Sequence, residues 1–267
     1  MTNLSIDMTE LLSVTAAMLF VCMFMLWILS VFLRNTSIVD VFWGFGFVLV
    51  AVCVFVWGNA GAAPRSLLIS AMIAVWGLRL GGYLLWRNAG HVEDPRYVSM
   101  RRKWGARFWW VSFFTVFALQ GAILWFISLP VQVVQVAPGG SLGVLDAVGF
   151  AVWFVGLLFE LVGDHQLARF KADPTNAGAV MDRGLWRYTR HPNYFGDFCI
   201  WWGVFVVALS APQGLYTIAS PALMSFLLLR VSGVPLLERG MRERRPGYAD
   251  YIRRTSAFFP RPPRKTR

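Results

Sequence analysis

Long runs of uncharged apolar residues dominate this sequence, and the first of them constrains the fold most. No charged side chain lies between Leu11 and Leu33. An α-helix rises about 1.5 Å per residue, so crossing a bilayer core of about 30 Å takes about 20 residues. Because no basic segment precedes this run and no small-residue cleavage site follows it, we interpret it as a spanning helix and not as a signal peptide.

Six further apolar runs bring the predicted number of spans to seven. They are Ile38 to Trp57, Ser66 to Trp86, Phe108 to Leu129, Leu142 to Val162, Tyr194 to Leu209 and approximately Leu215 to Leu237. With 57% hydrophobic residues and a mean hydropathy of +0.55, the composition is also typical of a membrane protein. We therefore predict an all-α, polytopic membrane protein whose residues 1–267 form a single membrane domain.

The distribution of Lys and Arg predicts the orientation of the chain. Most of the 25 basic residues fall in residues 87–107, in residues 169–190 and after residue 229, whereas residues 130–141 and 210–214 contain none. Basic residues are retained on the cytoplasmic side of a membrane, which places the amino terminus outside and the carboxyl terminus in the cytoplasm. The same bias accounts for the net charge of +11, so we do not expect nucleic-acid binding.

Ionisable side chains within the predicted spans indicate where function lies, because each costs about 2.5 to 3.5 kcal/mol at the centre of a span. Asp40 lies near the start of the second span, and Arg79 lies deep in the third. Glu160 and Asp164 lie one helical turn apart at the cytoplasmic end of the fifth span. For Asp40, interfacial snorkelling or a salt bridge between helices is the alternative.

The last predicted span is interrupted, which indicates a cavity. Pro221, Gly233 and Pro235 punctuate it, and Arg230 and Glu238 add charge. Irregular backbone within a membrane is tolerated mainly where it lines a protein cavity. We therefore predict a polar cavity that opens to the cytoplasm in the carboxyl-terminal half of the chain.

The stretch MDRGLWRYTRHPNYFGDFCIWWG at residues 181–203 predicts an anion site at the start of a helix. Pro192 suits a first helical turn, and Asn193 and Asp197 then lie one turn apart on the same face. The flanking Arg187 and Arg190 add positive charge to free backbone donors, an arrangement suited to a phosphate-bearing ligand. No glycine-rich Rossmann or Walker motif is present, so another fold must hold any nucleotide.

Two other patterns have structural interpretations. The arginine-rich carboxyl-terminal tail contains further candidate anion-binding residues, namely Arg242, Tyr248 and Tyr251. Electrostatic binding of this tail to anionic lipid headgroups is the alternative. The three cysteines lie within apolar spans without paired ligand spacing, which argues against a disulfide framework and against a metal site.

Residues 160–260 resemble the membrane steroid 5α-reductase family, particularly its bacterial branch. The motifs GLWRYTRHPNYFGD and GYADYIRRTSAFFP carry this resemblance, and SIVDVFWGFGF and EDPRY extend it more weakly. In that family, a seven-helix membrane domain holds NADPH in a cytoplasmic cavity. Hydride passes from NADPH to an activated carbon–carbon double bond, typically of a 3-oxo-Δ4 steroid.

The resemblance implies a division of labour along the chain. Residues 11–129, the first four helices, would lie on the substrate side, and residues 142–267 would hold NADPH, whose 2′-phosphate suits the many arginines. Asp40 and Tyr83 are the candidate catalytic residues that would meet the substrate carbonyl. The implied cofactor-binding residues are Glu160, Asp164, Lys171, Arg187, Tyr188, Arg190, His191, Asn193, Asp197, Arg230, Glu238, Arg242, Tyr248 and Tyr251.

The resemblance also implies a monomer in a bacterial inner membrane, with its active site facing the cytoplasm and a lipophilic substrate that enters from the membrane lipids. Two other functions stay open. Sequences of the RHPNY type also occur in methyltransferases that resemble the isoprenylcysteine carboxyl methyltransferases and use S-adenosylmethionine, although seven spans and many arginines favour the reductase. A non-catalytic lipid or sterol binder is the second alternative, whereas a transporter would more often show internal repeats.

Overall fold

The computed structural model describes residues 7–90, 92–137, 140–231 and 233–264, and its secondary structure in these ranges is helical. No β-strand occurs there, apart from one isolated bridge between Thr189 and Ser256. The chain divides into two compact units. The first comprises Met1–Gly143 with Ala208–Thr217, and the second comprises Val144–Val207 with Ile218–Arg267.

Ten helical segments follow one another along the described parts of the chain. They are α1 Met8–Leu33, α2 Ile38–Trp57, α3 Pro64–Asn88, α4 Pro95–Ile127, α5 Leu129–Val136, α6 Val144–Ala172, α7 Pro192–Ala208, α8 Gly214–Val231, α9 Val234–Arg244 and α10 Tyr248–Arg254. Short 3-10 turns occur at Pro174–Asn176 and Gly184–Arg187, and π-helical turns interrupt α4 and α8.

Six of these segments are long and apolar enough to cross a membrane, namely α1, α2, α3, α4, α6 and α8. The prediction of a polytopic membrane protein is thereby confirmed in its coarse form. Helix α7 coincides with the predicted sixth span, and its 17 residues lie at the short end of the lengths that cross a bilayer. A seventh crossing and the orientation of the chain stay predictions.

Several boundaries differ from the predicted spans for local reasons. Helix α4 begins at Pro95, before the apolar run, because Asp94 caps its first turn by accepting a hydrogen bond from the backbone N–H of Arg96. The predicted last span is divided at Gly233, with α8 ending at Val231 and α9 beginning at Val234. The proline at position 235 lies in the first turn of α9, where its missing donor is tolerated.

In the first unit, α2 and α3 approach until their backbones touch. A Cβ atom added to Gly44 would lie 2.5 Å from the carbonyl oxygen of Gly77, and one added to Gly77 would lie 2.6 Å from that of Gly44. Small residues allow such close packing of helices in membranes, where hydrophobic burial no longer drives association. These two glycines therefore explain why α2 and α3 form the core pair of this unit.

In the second unit, α6 and α7 repeat this contact at intervals of seven residues. Gly149 meets the carbonyl oxygen of Gly203, and Gly156 meets that of Gly196, with added Cβ atoms at 2.7 Å and 2.5 Å. Each contact is reciprocal, so neither helix can accept a larger side chain there without separating from the other. The close crossing holds the start of α7, and hence the RHPNY motif, against α6.

The short helix α5 carries buried polar side chains into the first unit. Gln132 accepts a hydrogen bond from Thr15 of α1 at 2.7 Å and donates one to Ser128 at 2.9 Å. Gln135 accepts one from Ser66 of α3 at 2.6 Å. Both glutamines are fully buried. Because water cannot compensate inside such a bundle, these bonds fix the position of α5.

We expect Gln132→Leu to lower the free energy of unfolding by about 0.6 to 1.7 kcal/mol, the range measured for hydrogen bonds between membrane helices. Thr15 keeps a bond to the carbonyl of Leu11 in its own helix, which limits the loss. Reversible unfolding in mixed micelles measures the effect. A double-mutant cycle with Thr15→Val should give a coupling of similar size, and a coupling near zero would contradict this account.

Candidate functional site

A buried ion pair lies at the start of α7, where the sequence predicts an anion site. The Nε and Nη2 atoms of Arg190 lie 2.8 Å and 2.7 Å from Oε1 of Glu238, which belongs to α9. The His191 ring nitrogen Nε2 lies 3.2 Å from the same oxygen. The Arg190 side chain is 8% exposed and that of Glu238 is 10% exposed. The RHPNY motif is thereby fastened to α9.

The guanidinium of Arg190 also holds the chain that follows α10. Its Nη1 atom donates to the carbonyl of Thr255 at 2.5 Å and to that of Ile252 at 3.2 Å. Next to it, the Thr189 hydroxyl donates to the carbonyl of Phe258 at 2.7 Å. One buried side chain therefore joins the motif, α9 and the carboxyl-terminal segment, so it works as a structural anchor whether or not a ligand also touches it.

The charge state of Glu238 follows from these partners. Burial alone would raise the pKa of the Glu238 carboxyl, but hydrogen bonds from His191 and Arg190 and the positive charge of Arg190 outweigh it, and the pKa lies below its usual 4.5. The carboxylate is therefore ionised at neutral pH and compensates the buried charge of Arg190.

A second set of contacts fixes the 3-10 turn that precedes the motif. The Tyr251 hydroxyl donates to the carbonyl of Trp186 at 2.5 Å, and the Trp186 indole donates to the carbonyl of Gly163 in α6 at 3.0 Å. Burial and the neighbouring Tyr248 raise the pKa of Tyr251, so its hydroxyl keeps its proton. The turn is held between α6 and α10.

The predicted cofactor residues fall into two classes by exposure. Buried ones are Glu160, Asp164, Arg190, His191, Glu238, Tyr248 and Tyr251. Exposed ones are Lys171, Arg187, Tyr188 and Arg230, whereas Asn193 and Asp197 are half-buried. The side chain of Arg242 lies outside the described part of the structure. Only the exposed and half-buried residues offer groups that a ligand reaches without prior rearrangement.

Two of the accessible residues have local backbone features that suit a site. Arg230 lies in the π-helical turn Leu227–Val231 at the end of α8, and such turns occur frequently at functional sites. Asn193 lies in the first turn of α7, where its side-chain oxygen accepts the backbone N–H of Tyr194 at 3.1 Å. This hydrogen bond to the backbone of its own helix orients the Asn193 amide group.

In the first unit, Asp40 belongs to a polar cluster with residues from α4. The Tyr97 hydroxyl donates to Asp40 Oδ1 at 2.7 Å, and Nη2 of Arg96 donates to Oδ2 at 2.8 Å. Gln120 in turn donates to the Tyr97 hydroxyl at 3.3 Å. The ion-pair partner of Asp40 is thus Arg96. Sequence reasoning missed Arg96 and Tyr97, although both belong to the EDPRY segment of the weaker resemblance.

The loop before α4 is fixed by a second acidic group. Glu93 accepts hydrogen bonds from Arg101 at 2.8 Å and from the backbone N–H of Thr36 at 2.7 Å. Burial would raise the pKa of Glu93, yet the bonds from Arg101 and Thr36 lower it below the usual value. The turn between α1 and α2 and the start of α4 are thereby joined on one side of the Asp40 cluster.

Tyr83, the other predicted catalytic residue, lies on α3 between two arginines of the same helical face. The guanidinium carbons of Arg79 and Arg87 lie 5.5 Å and 5.8 Å from the centre of its ring. Two cations over one ring form cation–π contacts that hold the ring in place. Arg87 also lies within electrostatic range of Asp40, so the two predicted catalytic residues share one neighbour.

No three His, Cys, Asp or Glu residues lie close enough to hold one metal ion within residues 7–90, 92–137, 140–231 and 233–264. The exposed side chains of the motif and the turn before it are Arg187 and Tyr188, a cation and a hydroxyl group that suit phosphates.

Comparison with known proteins shows the family of this chain and a similarity of part of it to two enzymes. A family model described as a protein of unknown function, DUF1295, matches residues 26–255. An uncharacterized protein of Schizosaccharomyces pombe, C594.04c, is 25% identical over 263 residues, which cover 88% of this chain and 76% of that protein.

Two mammalian enzymes share a shorter similarity with this chain. The 3-oxo-5-alpha-steroid 4-dehydrogenases 1 of Mus musculus and Rattus norvegicus are each 33% identical over 67 residues, which cover 25% of this chain and 26% of each enzyme. This similarity points to a steroid-reductase-like membrane family in general terms. No solved structure matches the chain.

Proposed function

We propose that this chain, which belongs to the DUF1295 family, is a membrane-embedded, NADPH-dependent reductase of an activated carbon–carbon double bond. The observation that carries the proposal is the 33% identity to two 3-oxo-5-alpha-steroid 4-dehydrogenases over 67 residues. A 3-oxo-Δ4 steroid or a similar lipophilic enone is the proposed substrate. The proposed setting is a bacterial inner membrane, with the active site facing the cytoplasm.

The donor set around the RHPNY motif fits a nucleotide with several phosphates. Arg187, Lys171 and Arg230 are exposed cations of the second unit, and the positive end of the α7 dipole also favours an anion. We assign phosphate binding to these exposed groups. Tyr188 and Asn193 are assigned to the remaining polar contacts.

The buried members of the predicted set have a different proposed role. Arg190, His191 and Glu238 hold the carboxyl-terminal segment against the motif, so they position the groups that contact the cofactor. The sequence predicts that these residues contact the cofactor directly. The Arg190 guanidinium, however, already donates hydrogen bonds to Glu238, Ile252 and Thr255.

NADPH, when bound, supplies the hydride that adds to the β-carbon of the enone, and a proton from the protein or water completes the saturated product at the α-carbon. Negative charge develops on the carbonyl oxygen as the hydride arrives, so a positioned hydrogen-bond donor lowers the barrier. We assign this role to Asp40 or Tyr83. In the first case, Asp40 takes up a proton and its ion pair with Arg96 opens, because an ionised carboxylate accepts hydrogen bonds and does not donate them.

The proposal is tested by following NADPH consumption by the purified protein in lipid nanodiscs. A 3-oxo-Δ4 steroid, an isoprenoid enone and an unsaturated lipid ketone serve as substrates, and their saturated counterparts serve as controls. We expect consumption of NADPH only with an enone, together with a product two hydrogen atoms heavier. Binding of S-adenosylmethionine without binding of NADPH would overturn the proposal in favour of a methyltransferase.

We expect Arg187→Ala to weaken NADPH binding about tenfold and to leave the unfolding temperature unchanged, because this exposed guanidinium would lose a charge-assisted bond to phosphate. Calorimetric titration measures the dissociation constants. Arg169→Ala removes an exposed arginine from the last turn of α6 and should have little effect. Equal dissociation constants for NADPH in wild type and Arg187→Ala would contradict the assignment.

A further inference from the structure

The carboxyl-terminal segment Phe259–Arg264 forms a stiff, arginine-bearing strip on the second unit. Its sequence, Phe-Pro-Arg-Pro-Pro-Arg, places prolines at positions 260, 262 and 263. Proline fixes φ near −65° and favours the polyproline II helix, which has three residues per turn and rises about 3.1 Å per residue. In that conformation Arg261 and Arg264, three residues apart, would project from the same side, roughly 9 Å from each other.

The backbone of this strip is pinned at both arginines. The N–H of Arg261 donates to the carbonyl of Tyr188 at 3.0 Å, and the N–H of Arg264 donates to that of Arg254 at 2.9 Å. Both N–H groups thus point towards the rest of the second unit, and their spacing of three residues agrees with the three residues per turn of a polyproline II helix. Both arginines are exposed to solvent. A ligand that binds them meets a preorganised backbone, so little chain entropy is lost on binding.

The charges of these two arginines are not neutralised locally. In the part of the chain that the structure describes, neither guanidinium has a carboxylate within ion-pair distance. Their neighbours differ in this respect, because Arg254 pairs with Asp182 at 2.9 Å and Arg253 pairs with Asp250. Two exposed arginines without a carboxylate partner form a surface that attracts anions.

Exposed aromatic side chains accompany the two arginines. Phe259 is 47% exposed and Tyr188 is 43% exposed, and Tyr188 provides the carbonyl that anchors Arg261. The Phe259 ring also contacts Phe198 of α7, with ring centres 5.7 Å apart. In a membrane protein, exposed aromatic rings beside basic residues are typical of the level of the lipid headgroups.

We propose that Arg261 and Arg264, with Phe259 and Tyr188, bind the phosphates of anionic phospholipids at the membrane surface. Side chains that leave the backbone roughly 9 Å apart reach two neighbouring headgroups, and the aromatic rings contact the upper acyl chains. A free phosphate would use the charges but not the rings, which is why a lipid is the favoured occupant. Tyr188 is also assigned to NADPH, so this inference shares one residue with the proposed function, but Arg261 and Arg264, which the experiment changes, do not belong to that site.

The experiment measures lipid binding to the full chain in a nonionic detergent by native mass spectrometry, with dioleoylphosphatidylglycerol as the probe and dioleoylphosphatidylcholine as the neutral comparison. Each basic residue near an anionic surface contributes about fivefold to binding. Arg261→Gln combined with Arg264→Gln should therefore weaken binding of the anionic lipid about thirtyfold. Raising the salt concentration should weaken wild-type binding in parallel.

A charge-matched control separates this site from a general effect of net charge. Arg169→Gln combined with Arg253→Gln removes two exposed positive charges elsewhere in the second unit, and binding should fall by less than about threefold. Arg261→Lys combined with Arg264→Lys keeps both charges and should retain most of the binding. Should the glutamine pair lower the unfolding temperature without lipid, the single variant Arg264→Gln replaces it, with a loss of about fivefold expected.

Three results would overturn the proposal. One is equal lipid binding in wild type and the glutamine variant. Another is the same loss in the charge-matched control, which would indicate non-specific attraction. The third is displacement of the anionic lipid by inorganic phosphate at millimolar concentration, which would identify the strip as a site for a soluble phosphate compound.

Discussion

Glu238→Ala should lower the free energy of unfolding by about 3 to 5 kcal/mol, the range for removing one partner of a buried ion pair. The Arg190 guanidinium is 8% exposed, so without Glu238 it would keep its charge in a site that water hardly reaches. Its bonds to the carbonyls of Ile252 and Thr255 remain, but carbonyl dipoles do not neutralise it. Reversible unfolding in mixed micelles, followed by tryptophan fluorescence, gives the free energy.

A matched control and the pH dependence separate this effect from a general loss of charge. Asp250→Ala removes an exposed partner of Arg253 on α10 and should cost less than about 1 kcal/mol. The pKa of Glu238 is lowered in the folded state, so its contribution is complete above the usual value of 4.5 and is lost as the pH falls through the folded pKa. Arg190 and His191 both face this carboxylate.

The difference in stability between wild type and Glu238→Gln should therefore be constant near neutral pH and shrink in acid below pH 4.5. A difference that persists unchanged at lower pH would show that the Glu238 charge is not what stabilises the motif. A loss below 1 kcal/mol in Glu238→Ala would show that the site relaxes around Arg190.

The parts of the fold that follow from hydropathy and charge could be predicted from the sequence. The runs that begin at Leu11, Ile38 and Ser66 each lie within a helix of the structure, because a bilayer demands long apolar helices whatever their neighbours. The predicted sixth span, Tyr194 to Leu209, was already short, and α7 has 17 residues. Its apolar run ends before Pro212 and Gly214, and the length of a helix within a span depends on packing.

The site was predictable only in part, for a physical reason. The RHPNY pattern predicted a helix that begins at Pro192, which the structure shows, but exposure depends on tertiary contacts that one sequence does not contain. Arg187 and Arg190 are both arginines near one proline, yet Arg187 is exposed and Arg190 is enclosed by α9 and the carboxyl-terminal segment. The partner of Asp40 was also hidden, because Arg96 is distant in the sequence and belongs to a helix whose start precedes its apolar run.

Asp40→Asn should lower turnover of an enone about ten- to ten-thousand-fold while the dissociation constant of NADPH stays the same, if Asp40 donates the hydrogen bond that activates the substrate. This is the usual range for losing one proton donor or oxyanion donor, and an amide is a much weaker acid than a carboxyl group. Tyr83→Phe removes the alternative donor and tests it in the same assay. Turnover is expressed per folded molecule.

The competing interpretation is that Asp40 serves only to hold Arg96 and Tyr97, and Arg96→Gln distinguishes the two. That variant removes the 2.8 Å ion pair but keeps the Asp40 carboxyl group. A structural role predicts that Arg96→Gln and Asp40→Asn both unfold at lower temperature, with turnover per folded molecule unchanged in each. A catalytic role predicts that Asp40→Asn loses far more turnover than Arg96→Gln, because only the first substitution removes an acid. Near-normal turnover in both Asp40→Asn and Tyr83→Phe would exclude this pair as the donors. Tyr97, whose hydroxyl donates a hydrogen bond to Asp40, would then be the next candidate donor.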